Sequence, residues 1–468
     1  MTFQIYSFIF LFIAITGFYL IAPKYRAGFL VVASTVFCGF HDAYALAVLI
    51  IVTVAAFSAG IVIGIIKPER VILRKMVLTL SVATFIGLFI LWKFFSDAED
   101  YFIFLMPLGF SYYGFQAISY LTDIYRGKIS QEKNFIRYAL YMAWFPKFIS
   151  GPIERAGSLI PQTCALDEVR LLDGKRIIRG LSYILWGFFM KIMVADRAAL
   201  IVTAVFDEYE EYGSMMLIVG SLLYTMQIYC DFAGYTDVAI GVSCLFGLEL
   251  TQNFKTPYFS ENITEFWRRW HISLSAFLRD YIYIPLGGNR KGVLRKCINI
   301  LIVFIVCGFW HGAGRRYIIW GLIHGVFSVI TNIFQKSRLG FLFRGITGRA
   351  ITFCVVSFGW ILFRAESWDM FLGYVSSMFS SPVIKTTFQK ELLMTEVSAF
   401  QYIILLLSMT VLTGVDYYSN RYDTLMPEII IKTGEIRRNI CFVIMAVIIL
   451  VFGMYGDQEI RNFIYMKF

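Results

Sequence analysis

The sequence predicts an all-α integral membrane protein, and three observations carry that prediction. Of 468 residues, 58% are hydrophobic and only 16% charged, whereas soluble domains carry roughly a quarter charged residues. Uncharged stretches close to the roughly 20 residues a helix needs to cross the hydrocarbon recur along the whole length. These stretches are continuous and do not alternate with period two, which favours helices over a barrel.

Taken in order, residues 6–21 form the first apolar segment. No lysine or arginine precedes it and no small-residue cleavage site follows, so it reads as a span and not as an ordinary signal peptide. Lys24 and Arg26 come after it, and the positive-inside rule then places the N-terminus outside. Residues 43–66 and 76–92 are the third and fourth spans, and 101–121 the fifth. Lys67, Arg70, Arg74 and Lys75 follow the third span, acidic residues 96–100 the fourth, and Arg126, Lys128, Lys133 and Arg137 the fifth. That order is inside, outside, inside. Residues 144–150 (WFPKFIS), followed by Gly151 and Pro152, suit a short re-entrant or interfacial element, because glycine and proline end a helix. Residues 213–230 and 397–415 are long enough to span, whereas 317–334 and 439–454 are slightly shorter or carry one polar residue.

Polar breaks fall at 162–176, 255–296 and 385–396. None is long enough for an independent core, so the chain reads as a single transmembrane domain over 1–468. No internal repeat of the kind found in secondary transporters is evident. The stretch 255–296 is too polar to span and too aromatic for a free loop. Its Phe266, Trp267, Trp270, Phe277, Tyr281 and Tyr283 alternate with Arg268, Arg269, Arg279 and Asp280. Such a segment belongs at the interface or in a re-entrant position against other helices.

The net charge of +10 is accounted for by cytoplasmic loops facing anionic lipid headgroups. An acidic soluble partner is the second explanation, and no nucleic acid is required. The eight cysteines show no C-x-x-C and no pairing pattern, which marks them as packing residues.

Four histidines carry the candidate chemistry. His311 closes an apolar run, 297–309, within Trp310-His311-Gly312-Ala313. It reads either as a general base for a hydroxyl attacking an acyl group or as a core histidine bonded to a neighbouring helix, and physics alone weighs these evenly. His271 has the same functional reading, against an aromatic-belt histidine that physics slightly favours. His324 reads as a satisfied imidazole in close helix packing between Gly321 and Gly325. His41, beside Asp42, reads as a solvated loop residue.

Asp231 and Asp237 lie between apolar segments. Six residues apart, they do not share a helix face and suit a polar patch or a cavity mouth. No metal-ligand spacing is present, so no metal is expected. The turn 285–292 (PLGGNRKG) is flexible and basic. Asn289, Arg290 and Lys291 there could contact the phosphates of a thioester donor or an acidic carrier protein, although a plain cytoplasmic loop is the commoner reading. There is no P-loop and no G-x-S-x-G, which leaves a covalent serine mechanism unsupported.

At these residues the chain resembles the membrane-bound O-acyltransferase family, most closely its bacterial alginate O-acetyltransferase branch. The matching pieces are 229–241 (YCDFAGYTDVAIG), 253–258 (NFKTPY), 264–292 (TEFWRRWHISLSAFLRDYIYIPLGGNRKG) and 308–325 (GFWHGAGRRYIIWGLIHG). Residues 144–153, 360–368 and 462–465 add to them. The resemblance implies His311 as the essential catalytic histidine and His271 as a supporting one. It further implies a bundle of about 11 transmembrane helices with re-entrant or interfacial helices around a central tunnel. Arg315 and Phe277 stand where tryptophan is common in the family, next to the motifs, so they bear on the acceptor or partner surface.

The expected activity is transfer of an acetyl or other acyl group from a cytoplasmic thioester, acetyl-CoA or an acylated carrier protein, with no permanently bound cofactor. The expected acceptor is a hydroxyl of an exported polysaccharide or of an extracytoplasmic relay protein such as an SGNH-type acetyltransferase. The expected location is the bacterial cytoplasmic membrane. His311 would take or orient the hydroxyl proton, with oxyanion donors among Trp310, Tyr317 and Asn289. The alternatives are D-alanyl transfer to teichoic acid and a non-enzymatic polysaccharide or lipid transporter.

Overall fold

The structure, a computed structural model, describes residues 2–95, 106–335 and 337–455. The acidic stretch 96–100, the start of the segment 101–121 and the motif 462–465 lie outside the described residues. Every regular element among the described residues is helical. The chain is an all-α integral membrane protein, and its contacts cluster into two compact units.

The first unit comprises residues 1–181 and 239–252. It contains α1 (Thr2–Leu20), α2 (Arg26–His41), α3 (Ala43–Ile65), α4 (Val71–Phe95), α5 (Phe110–Tyr125), α6 (Phe135–Ala143) and α7 (Ala156–Cys164). Local chemistry sets the starts. The Asp42 carboxylate accepts from the Tyr44 and Ala45 amides and opens α3, and Asn134 does the same for α6. His41 is the last residue of α2 and not a loop residue; half-buried, it donates from Nδ1–H to the Phe37 carbonyl at 2.8 Å, one turn back.

The 144–153 segment folds as a compact, buried reversal. Trp144 donates to Ser243 Oγ at 2.8 Å, and a 3-10 turn follows at Phe145–Lys147. Gly151 is required there, because a Cβ would lie 2.3 Å from the Lys147 α-carbon. The Lys147 ammonium is buried and donates to Gln116 Oε1 at 2.8 Å and to the Met142 carbonyl at 3.2 Å. Burial pulls its pKa down from 10.5 to about 7, against the opposing pull of the nearby Glu154 carboxylate. Burial raises Glu154 in turn, resisted by hydrogen bonds from Thr251.

The sign of the Lys147 contribution to the pH dependence follows from its downward shift. Between about pH 7 and 10.5 the unfolded chain holds a proton that folded Lys147 has released. Stability therefore rises with pH across that window and is lost as pH falls through 7. From pH 7 to 9 this contributes about 2 kcal/mol. The melting temperature in detergent should rise by a few degrees over that range, and Lys147→Met should flatten the rise. A wild-type profile no steeper than that of the variant refutes the assignment.

The second unit comprises residues 182–238 and 253–468. α8 (Gly174–Phe188) passes into a π-helical turn, Phe189–Ala195, and then α9 (Asp196–Asp207). α10 runs from Ser214 to Leu245. Two short helices, α11 (Ile263–Arg269) and α12 (Ile272–Leu278), precede a second π-helical turn, Arg279–Tyr283. The long α13 (Gly292–His311), α14 (Arg315–Phe334) and α15 (Gly345–Arg364) come next. α16 (Trp368–Ser380), α17 (Phe388–Met394), α18 (Ala399–Tyr422), α19 (Met426–Lys432) and α20 (Glu435–Phe452) complete the described chain.

α10 corrects the reading that Asp231 and Asp237 lie between apolar segments: one helix carries both. A carboxylate is tolerated there because Lys191, on the π-helical turn, reaches it. Lys191 Nζ lies 2.5 Å from Asp231 and 2.9 Å from Asp196, and all three side chains are buried. Backbones touch beside this group. A Cβ on Gly187 would lie 2.5 Å from the Gly234 carbonyl, and one on Gly234 2.8 Å from the Gly187 carbonyl.

Seven helices among the described residues are long and apolar enough to cross a membrane: α3, α4, α10, α13, α14, α15 and α18. The expectation of about 11 is not reached by that measure. α1, α2 and α5 are shorter or only partly described, and α20 opens with Glu435, Arg437 and Arg438. Outward apolar side chains such as Ile72 and Leu80 on α4, Leu406 on α18 and Leu450 on α20 are what contact with lipid tails requires.

α13 and α14 form the tightest pair. A Cβ on Gly308 would lie 2.2 Å from the Tyr317 carbonyl, and one on Gly321 2.2 Å from the Phe304 carbonyl. Small residues at such a crossing bring backbones together where the hydrophobic effect supplies no drive.

Candidate active site

The site grows from three local arrangements in the second unit. The first is the break between α11 and α12. Asn262 opens α11 by accepting from the Glu265 amide. The chain is then extended at Trp270 and enters the left-handed region at His271, with φ 44°. A non-glycine residue there costs of the order of 1 kcal/mol and persists only where its surroundings enforce it. Asn253 enforces it: its carbonyl accepts from the Ile272 amide and its Oδ1 from the Ser273 amide, both at 3.0 Å.

His271 is fully buried, so the aromatic-belt reading fails. Its Nδ1 lies 3.4 Å from Asn253 Oδ1, and Phe232 of α10 meets its ring edge-on at 4.8 Å. Burial pushes the imidazole down to about 3, so it is neutral at any working pH. The stretch 255–296 takes the buried alternative in its first part, with Phe266, Trp267, Trp270 and Phe277 all shielded, and is exposed from Ile284 onward at most positions.

The second arrangement is the end of α13. His311 is its last residue and is 3% exposed. Trp310, Trp320 and Phe363 meet its ring edge-on, with centroids 4.7, 5.0 and 5.1 Å away. The Trp310 indole also lies 5.8 Å from His271. The structure thus brings the two histidines singled out in the sequence against one tryptophan.

The third arrangement surrounds His324 on α14. Trp267 Nε1 donates to its Nδ1 at 3.3 Å. The expectation of a satisfied imidazole holds for one nitrogen only, because Nε2 has no hydrogen-bond partner among the described residues.

Other predicted residues fall elsewhere. Asn289, Arg290 and Lys291 sit in an exposed turn, with Gly287 and Gly288 in left-handed conformations. Asn299 holds that turn by donating to the Gly288 carbonyl at 2.9 Å. Lys291 precedes the first residue of α13 and His311 is the last, so about 30 Å of helix separates them. These three side chains can touch only the far end of a long-armed donor. Tyr317 accepts from Arg316 at 3.0 Å. Arg315 is exposed over the Trp368 ring, with its Nη2 3.9 Å from Asp369. No group of three or more metal-ligating side chains occurs among the described residues.

Sequence reasoning missed Trp320, Phe363 and Phe232 as walls of the two imidazoles. Their aromatic type was visible, but an aromatic residue in a membrane segment is ordinarily packing.

Comparison with known proteins places these elements. The family model described as membrane-bound O-acyltransferase matches residues 125–367, which hold both histidines. The probable alginate O-acetylase AlgI of Pseudomonas fluorescens is 36% identical over 381 residues, 81% of this chain and 75% of the relative. The peptidoglycan O-acetyltransferase of Helicobacter pylori is 36% identical over 300 residues, 58% of this chain and 57% of the relative. The teichoic acid D-alanyltransferase of Bacillus subtilis is 28% identical over 312 residues, 61% and 76% respectively. With that model matched over half of the chain and a relative 36% identical over 81% of it, on a multi-span helical frame, this chain belongs to the membrane-bound O-acyltransferase family.

Proposed function

We propose that this O-acyltransferase passes an acetyl group from a cytoplasmic thioester, acetyl-CoA or an acylated carrier protein, to a hydroxyl of an exported polysaccharide or of an extracytoplasmic relay protein. His311 takes the hydroxyl proton as the oxygen attacks the thioester carbonyl, then gives it to the departing thiolate. His271, neutral and beside the same tryptophan, supports that geometry. The thioester is a substrate and no resident cofactor takes part. The chain acts as one domain with its N-terminus outside, so donor and acceptor reach His311 from opposite compartments through a central cavity.

The observation that carries this reading is the pair of buried imidazoles flanking Trp310. Acetyl is preferred because the alginate O-acetylase relative is aligned over more of this chain than the D-alanyltransferase. The exposed Arg290 and Lys291 suit the acidic surface of a carrier protein.

The test is incubation of proteoliposomes and exported polysaccharide with isotope-labelled acetyl thioesters, donated either by coenzyme A or by a carrier protein. The expected product is an alkali-labile labelled ester. Turnover of a D-alanyl thioester alone would replace the acetyl assignment, and movement of polysaccharide without ester formation would replace acyl transfer.

A further inference from the structure

We propose that Trp320 and His324 bind the carbonyl oxygen of the acyl group and stabilise the negative charge it gains; this rests on the acyl-transfer reading above. The inference starts from the hydrogen bond between Trp267 and His324. An indole N–H can only donate, so His324 Nδ1 accepts. An imidazole that accepts at Nδ1 is neutral and carries its proton on Nε2. His324 Nε2 is therefore an N–H donor, and the side chain is completely buried.

Trp320 Nε1 is a second buried N–H donor. Neither it nor His324 Nε2 has a hydrogen-bond partner among the described residues. Buried donors are almost always paired, and two orphans side by side call for a common acceptor.

Both face Gly359 on α15. A Cβ built there would lie 3.2 Å from His324 Nε2 and 3.5 and 3.6 Å from Trp320 Cδ1 and Nε1. A side chain at this position would crowd both donors, and glycine keeps α15 clear of them.

The two donors adjoin the proposed base. Gly359 precedes Phe363 by four residues, about 6 Å along the helix. Phe363 packs against His311 at 5.1 Å, and the Trp320 ring lies 5.0 Å from His311.

Two donors with aromatic walls select a lone-pair oxygen. They do not suit the attacking hydroxyl, which needs an acceptor for its proton. A carbonyl oxygen fits, and its bonds to the donors strengthen as charge develops. When the hydroxyl oxygen bonds to the carbonyl carbon, the π pair moves onto this oxygen. When the pair returns, the carbon–sulfur bond breaks and the thiolate takes the proton that His311 had accepted. Donors placed where charge appears act on the transition state more than on the bound substrate.

The test compares Trp320→Phe, Gly359→Ala and His324→Gln with wild type in proteoliposomes, using the thioester that supports transfer in the assay above. Trp320→Phe keeps the packing and drops the N–H, Gly359→Ala crowds both donors, and His324→Gln keeps a side-chain N–H near Nε2. Removing one such donor should lower kcat roughly 100-fold while KM changes little, with partial recovery in His324→Gln relative to His324→Ala. The infrared band of a carbonyl-labelled donor should lie lower in wild type than in Trp320→Phe. Unchanged kcat, or a fall in kcat without any shift of that band, overturns the proposal in favour of a packing role or an ordered water. His311→Ala separates the two readings. If it is inactive while Trp320→Phe is active, only this inference fails; if it is active, acyl transfer at His311 fails as well.

Discussion

Purified His311→Ala should insert and fold, yet transfer acyl groups about 1,000-fold more slowly than wild type, within the usual range for loss of a general base. Its ring is enclosed by Trp310, Trp320 and Phe363. Alanine leaves a cavity among those rings at a cost of about 2 kcal/mol. That cost is too small to unfold the protein, because α13 and α14 are held by backbone contacts at Gly308 and Gly321. The measurement is label transfer beside a melting curve. Near-wild-type turnover would remove His311 from the chemistry, whereas lost activity with a collapsed melting curve would mark it as structural.

The largest effect on stability is expected at Lys191. Its ammonium stands between Asp196 and Asp231, all shielded from solvent. Methionine fills most of the same space but removes the charge between two carboxylates. Breaking a buried ion group from one side costs about 3–5 kcal/mol, because what remains is uncompensated charge. Lys191→Met should therefore melt on the order of 10 °C lower, and adding Asp231→Asn to it should restore part of the loss. A single variant that melts within about 2 °C of wild type would show that water or protonation already neutralises the carboxylates. The network also bears on the site: Asp231 precedes Phe232, which meets the His271 ring. Loosening α10 there should slow transfer as well.

The sequence foretold the long spans closely where apolar runs end at charged or capping residues. The run 43–66 became Ala43–Ile65 because Asp42 caps its start, and the segment 317–334 is all but the first two residues of Arg315–Phe334. It misjudged α10, whose apolar run stops at Asp231 although the helix continues to Leu245. The ion that permits this continuation, Lys191, lies 40 residues earlier, and no local pattern announces such a partner. The two histidines stood out by rarity and surroundings. Their shared tryptophan, the left-handed backbone at His271 and the single satisfied nitrogen of His324 depend on residues far apart in sequence, and only packing reveals them.

The glycine contacts between α13 and α14 also constrain motion. With carbonyls seated where side chains would be, sliding one helix along the other would drive backbone into backbone, and this seat holds Trp320 beside His311. The connection from α12 to α13 is built the opposite way: the widened helical turn Arg279–Tyr283 and the left-handed glycines at 287, 288 and 292 leave it without such seats.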